Sequence, residues 1–191
     1  MRNLLKTIIF AMLAGVATTG SATILEFATT LLGSGEVPPS GSPATGFAVI
    51  TIDTVLNQLS VDETFSGLIG GPASAAHIHC CVPPGTNTGV AVGFVSFPAA
   101  TSGTYSHTFN LLDPSIYTSA FLTASGGTAA AAEFALITGL SAGQAYANIH
   151  NSQFPGGEIR GQLAQVPEPA SLALLGIGLA GLGFSRRRKL N

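Results

Sequence analysis

Hydrophobic and polar residues alternate with a period of two along most of this chain, and short turns interrupt the alternation. In "GFAVITID", residues 46–53, Phe47, Val49 and Thr51 fall on one face, and Ala48, Ile50 and Ile52 on the other. Successive side chains of a strand point to opposite faces, so this is the signature of a half-buried strand. "ILEFATTL" precedes it at residues 24–31, and "QLSVDETFSGL" follows at 58–68 after a polar turn at Asn57. "AAHIHC", "GVAVGFVSF" and "TYSHTF" continue the series; "AYANIH" and "EIRGQL", separated by "NSQFPGG", close it. Short β-rich runs bounded by Gly, Pro, Asn and Ser predict an all-β sandwich or barrel. Two stretches depart from the pattern. In "DPSIYTSAFL", Asp113 is a good N-cap, Pro114 takes the first helical position, and one or two helical turns follow. "TAAAAEFALITGL" reads as a helix capped by Thr128 and stopped by Gly139, with a strand over residues 134–137 as the alternative. The expectation is a mainly β chain with one or two short helical inserts.

The two ends are built differently. At the N-terminus, Arg2 and Lys6 precede an uncharged apolar run at residues 8–16, and Gly20-Ser21-Ala22 supplies the small residues of a cleavage site. This three-part layout predicts a secretory signal peptide over residues 1–22. The C-terminus carries Pro167-Glu168-Pro169, then an uncharged stretch at 170–184, then Arg186, Arg187, Arg188 and Lys189. Fifteen residues of helix reach about 22 Å against a hydrocarbon core of about 30 Å, so this is a marginal membrane helix. Gly176, Gly178, Gly181 and Gly183 weaken it further. The basic cluster places its end in the cytoplasm and the middle of the chain outside, in agreement with the signal peptide. "VPEPASLALLGIGLAGLGFSRRRK" resembles the PEP-CTERM sorting signal of Gram-negative bacteria, with tripeptide, short helix and Arg-rich end in order. That resemblance implies transient anchoring in the inner membrane and cleavage near the tripeptide by an exosortase, a membrane-embedded cysteine protease. It also implies a bacterium that makes extracellular polysaccharide.

Residues 23–165 remain, one domain's worth of chain. They hold eight acidic residues against one base, Arg160, a formal charge near −7 that the whole-chain value of −2 conceals. A nucleic-acid or acidic-polymer partner is disfavoured, because neutralising phosphates takes Lys and Arg. No catalytic triad spacing, phosphate loop or carboxylate pair stands out.

Three stretches of this middle region resemble the CHRD domain, the module first named from chordin. "LLGSGEVPPSGSPATGFAVITID" is similar to its opening, "AAHIH" to its central motif, and "YANIHNSQFPGGEIRGQL" to its closing motif. Cys80-Cys81 after the second His departs from the pattern, where many members carry Gly-Pro or similar. The resemblance covers residues 23–165 and implies an extracellular domain; the growth-factor ligands of animal chordin have no bacterial counterpart. The expected fold is a single antiparallel β-sandwich, immunoglobulin-like or Cu/Zn superoxide dismutase-like.

Candidate chemistry centres on "AHIH" (76–79) and its echo "ANIH" (147–150). Alternation turns Ile78 and Ile149 toward a core, and His77, His79, Asn148 and His150 toward a common polar patch. Three neutral imidazoles are a sufficient set for a mononuclear Zn(II) or Cu(II) ion, with redox activity open to the copper form. A hydrogen-bonded structural patch and a direct ligand contact are the other readings. His-x-His on a strand is similar in local geometry to the copper ligands of Cu/Zn superoxide dismutase. Four histidines in all, with His107 between Tyr105 and Phe109, are too few for that enzyme's dinuclear site.

Cys80 and Cys81 are the only cysteines. In an oxidising compartment three options stand: a vicinal disulfide, which we favour, thiolates joining a metal shell, or an intermolecular bridge. Glu158 and Arg160 alternate onto one face and are expected to form a salt bridge pinning the last strand, with Glu36 a further acceptor for Arg160. The chain thus reads as a non-catalytic, exosortase-processed CHRD protein of the cell surface or matrix, associated with polysaccharide or surface proteins. The alternative is a mononuclear copper or zinc protein using His77, His79 and His150.

Overall fold

The computed structural model describes residues 24–167. The signal peptide, the Glu168-Pro169 end of the tripeptide, the apolar stretch at 170–184 and the basic tail with Arg186, Arg187 and Arg188 lie outside the described residues. Among those residues no helix is long and apolar enough to cross a membrane.

Nine strands follow one another: β1 (Ile24–Leu32), β2 (Thr45–Asp53), β3 (Gln58–Ser66), β4 (Ala73–Cys80), β5 (Val90–Gly93), β6 (Gly103–Asn110), β7 (Ala145–Asn151), β8 (Ile159–Gln162) and β9 (Ala164–Gln165). They form one sheet in the order β5-β4-β7-β8-β1-β2-β3-β6, every pair antiparallel, with β9 also beside β1. β1 runs in full register with β2, from Ile24 opposite Asp53 to Leu32 opposite Thr45. Its other edge is shared. Only Leu32 meets β8, at Arg160, while Phe27 and Ala28 meet β9. This narrow seam lets the sheet curl, so that both halves close on one core. Phe27, Ile50 and Leu59 from one half and Ile78, Ile149 and Ile159 from the other are fully buried in the same cluster. The mainly β antiparallel class expected from the alternation is what the structure has, and a curled sheet of this kind is a sandwich or barrel-like fold. On β2 the alternation is read correctly: Ala48, Ile50 and Ile52 are buried and Phe47 is exposed.

The helical inserts are short. Asp113 accepts from the Ser115 amide to cap a 3₁₀ turn at Pro114–Ile116, and Thr118 caps α1 (Ser119–Ala124) by accepting from Phe121. Thr128 accepts from Ala131 and caps α2 (Ala129–Ser141), so residues 134–137 are helix and not strand. Gly139 does not stop this helix. A Cβ there would lie 2.2 Å from the Cys80 sulfur and 2.4 Å from that of Cys81, so glycine is what lets α2 settle against them. The helix ends at Gly143, which has φ +67° and so takes the left-handed conformation that terminates helices. α2 contributes Ala132, Leu136 and Leu140 to the core.

One core position is unexpected. The inward set of β3 is Leu59, Val61, Glu63 and Phe65. Glu63 is 1 % exposed, faces Ala48 on β2 and Tyr105 on β6, and neither carboxyl oxygen has a hydrogen-bond partner. Burial pushes its pKa up to about 8. The folded protein therefore holds it as a neutral acid, whereas the unfolded chain ionises near pH 4.5. A raised carboxyl pKa gives stability that is complete below the unfolded value and is lost as pH rises through the folded one. Each unit costs about 1.4 kcal/mol, so the loss is several kcal/mol. Glu63→Gln removes this dependence: in denaturant titrations at a series of pH values, the wild type loses stability between pH 5 and 8 relative to the variant. Parallel curves for the two proteins contradict the assignment.

Candidate functional site

The site is built on the outer face of the half made by β4, β7 and β8. β4 and β7 pair with Ala75 opposite His150, His77 opposite Asn148 and His79 opposite Tyr146. β8 continues the row, with Arg160 opposite Asn148 and Gln162 opposite Tyr146. Ile78, Ala147 and Ile149 turn inward and are fully buried. The intervening residues gather on the opposite face, so one register places the central and closing motifs side by side.

The three histidines meet there. Ring centroids of His77 and His150 are 4.9 Å apart, of His77 and His79 5.6 Å, and of His79 and His150 6.0 Å. One ring nitrogen from each lies within 4.8 Å of the others. His79 Nδ1 is 2.8 Å from the Thr88 carbonyl and His150 Nδ1 is 3.0 Å from the Pro155 carbonyl. The Nε2 atoms of both rings turn to Asn148 Oδ1, at 3.1 Å and 2.9 Å. Asn148 itself is buried, with its amide nitrogen turned toward Glu36, whose Oε1 is buried with no hydrogen-bond partner. His77 Nδ1 is buried with no partner. Burial, reinforced by His150 and His79, pushes the His77 pKa down to about 4. Burial also lowers His79 and His150, partly opposed by the carbonyls of Thr88 and Pro155 respectively. His107 stands apart on β6, exposed and edge-on to Phe109.

Two loops close over this face. Residues 82–89 are held from below: Arg160 donates to Asn87 Oδ1 and the Thr86 carbonyl, each at 2.8 Å, and Asn87 donates across to the Val37 carbonyl. The Arg160 guanidinium lies 3.3 Å from the centroid of the Tyr146 ring, and His79 stacks on that ring at 4.6 Å and 4°. Glu36, from the second loop, is buried beside Gly157 and Asn148; burial raises its pKa to about 7, against the Arg160 charge and the Asn148 amide.

Glu158 and Arg160 do not form the expected salt bridge. Glu158 is fully buried and accepts from Ser42 Oγ at 2.6 Å, from the amides of Ile69 and Gly70 at 2.7 and 3.2 Å, and from Asn151. It precedes β8 and faces the 67–72 turn, whereas Arg160 lies on the strand under the 82–89 loop. Each is satisfied by loops remote in sequence, so alternation over two residues was a poor guide to partnership. Cys80 and Cys81 are joined by a disulfide, and Cys81 Sγ contacts the Ala135 carbonyl on α2 at 3.5 Å. Both sulfurs therefore belong to the core-side contact with the helix, away from the imidazoles. Sequence reasoning missed Tyr146, Ser42, Asn151 and Thr88. Of these only Tyr146 carried a signal: it shares strand parity with Asn148 and His150.

The arrangement defines an antiparallel β domain whose outer face is a polar patch roofed by two loops, followed by a processing signal. Residues 27–163 match the family model for the CHRD domain, and residues 165–189 match that for the PEP-CTERM protein-sorting motif. The chain belongs to the CHRD domain family, and its tail makes it an exosortase-targeted protein with a surface or extracellular location. No match is found among curated proteins or solved structures.

The Glu158 network is testable. Glu158→Ala leaves the Ile69 and Gly70 amides, Ser42 and Asn151 without their acceptor. Each orphaned buried donor costs about 1–3 kcal/mol. The expected loss of folding stability is about 3 kcal/mol or more, seen as a lower denaturant midpoint with an unchanged slope. A loss below about 1 kcal/mol means the network is not the fastening described.

Proposed function

We propose that the exported domain is a non-catalytic module of the cell surface or extracellular matrix that associates with polysaccharide. The observation that carries this reading is the adjacency of a CHRD domain and a PEP-CTERM motif in one chain. The charge distribution narrows the partner. Arg160 is the only Lys or Arg among the described residues and is 3 % exposed, stacked on Tyr146 beneath the 82–89 loop. The acidic residues Glu26, Asp53, Asp62 and Asp113 are not buried. A surface acidic in this way repels anionic polymers, and its hydroxyl and amide groups suit a neutral or cationic glycan.

Two measurements test the reading. Intact mass of the chain from a host with an active exosortase is expected to correspond to a product cut near Pro167-Glu168-Pro169; a product that keeps Arg186, Arg187 and Arg188 contradicts the processing. The processed domain is expected to co-sediment with the host's neutral or amino-sugar surface polysaccharide and to stay in solution with an acidic one. Sedimentation with neither removes the glycan association while leaving the sorting intact.

A further inference from the structure

The hydrogen-bond chemistry of the histidine patch is unbalanced. A carbonyl oxygen only accepts, so the contacts of His79 Nδ1 with Thr88 and of His150 Nδ1 with Pro155 place the ring hydrogen on Nδ1 in both residues. A neutral imidazole has no second N–H, so both Nε2 atoms present lone pairs. Yet both aim at Asn148 Oδ1, at 3.1 and 2.9 Å, and that atom is an acceptor too. As placed, the amide turns its oxygen to both rings and its nitrogen toward Glu36, whose buried Oε1 has no hydrogen-bond partner. The buried, unpartnered Nδ1 of His77 adds to the mismatch. In this arrangement acceptors converge on one another.

A cation among them would satisfy these lone pairs. Extra protons on His79 and His150 would set two cationic rings 6.0 Å apart in a largely desolvated face. A single cation shared by the three rings satisfies the same lone pairs. We propose that His77, His79 and His150 bind one divalent transition-metal ion, copper(II) or zinc(II), with the Nε2 atoms of His79 and His150 as two of its ligands.

Three features support the site. Imidazole sets select Zn(II) and Cu(II) over Mg(II) and Ca(II), which take oxygen ligands. Metal-bound histidines characteristically donate their other ring N–H to a carbonyl or carboxylate, which is what Thr88 and Pro155 accept here. Thr88 and Pro155 orient the rings of His79 and His150, and Asn148 Oδ1 is placed to serve as a fourth ligand or to hold a water. The nitrogens lie within 4.8 Å of one another. A tetrahedral ion with bonds of about 2.0–2.1 Å holds its ligands about 3.4 Å apart, so closure takes ring rotations of up to about 1.5 Å. His77 and His150 are half-buried, which leaves a route in from solvent. The site is independent of the sorting signal and of any glycan, so its failure leaves the surface-module reading untouched.

The test uses the untagged, exported chain dialysed against Zn(II) or Cu(II) salts and analysed for bound metal. The expected result is one ion per chain, a raised thermal midpoint with excess Zn(II), and a Cu(II) electron paramagnetic resonance spectrum with imidazole nitrogen couplings. His150→Gln and His77→Ala each weaken binding by more than ~10-fold, and the pair abolishes it. The native-chain spectrum decides the matter even where a variant folds poorly. A native chain that takes up neither ion, or stoichiometric binding undiminished in a folded His77→Ala, His150→Gln variant, overturns the proposal.

Discussion

The antiparallel pairing of β4 with β7 is the constraint on which the rest of the site depends. Its register sets His77 opposite Asn148 and His79 opposite Tyr146, and so decides what lies on each side of that half of the sheet. A slip of one residue would turn Ile78 and Ile149 outward and the imidazoles into the core, losing apolar burial and stranding polar rings. Both isoleucines are fully buried, and that burial locks the register. The histidine patch is thus a consequence of core packing on the reverse face.

The polar groups around this patch work as fasteners for loops. Glu158 ties together Ser42, the Ile69 and Gly70 amides and Asn151, joining the turn before β4 to that after β7. Arg160 does the same for the 82–89 loop, with Tyr146 as a platform under its guanidinium. A buried polar group is costly unless hydrogen-bonded, so both residues hold their loops in place: releasing either loop would strand the side chain that binds it. The outcome is a roof over His79 and Asn148, held by side chains of the sheet rather than by backbone pairing. On the opposite face, Gly139 lets α2 lie directly on the Cys80–Cys81 disulfide, so the end of β4 is braced from the core side as well.

Legibility in the sequence followed the range of the interaction. Strands with strict alternation, such as residues 45–53, and caps at Asp113, Thr118 and Thr128 rest on neighbours within a few residues, and most could be read directly. The helical stop was misread at Gly139, because a glycine that makes room for a neighbour looks the same in sequence as one that ends a helix. The Glu158–Arg160 pair was misread for a related reason. Apart from Asn151, the true hydrogen-bond partners of these side chains are separated from them by 73 residues or more, and nothing in "GGEIRGQL" encodes that distance.

By itself the sequence determined the mainly β class, the membership of the CHRD family and the sorting tail, because periodicity, turn residues and motifs are written locally. It also determined that the histidines and Asn148 share a strand face within each motif. Only the tertiary structure decided that the two faces are one. Bringing residues 77 and 79 against 148 and 150 takes a strand pairing across the intervening chain. That pairing is set by which apolar surfaces close on each other when the sheet curls, and burial summed over the whole core is a property no single segment carries.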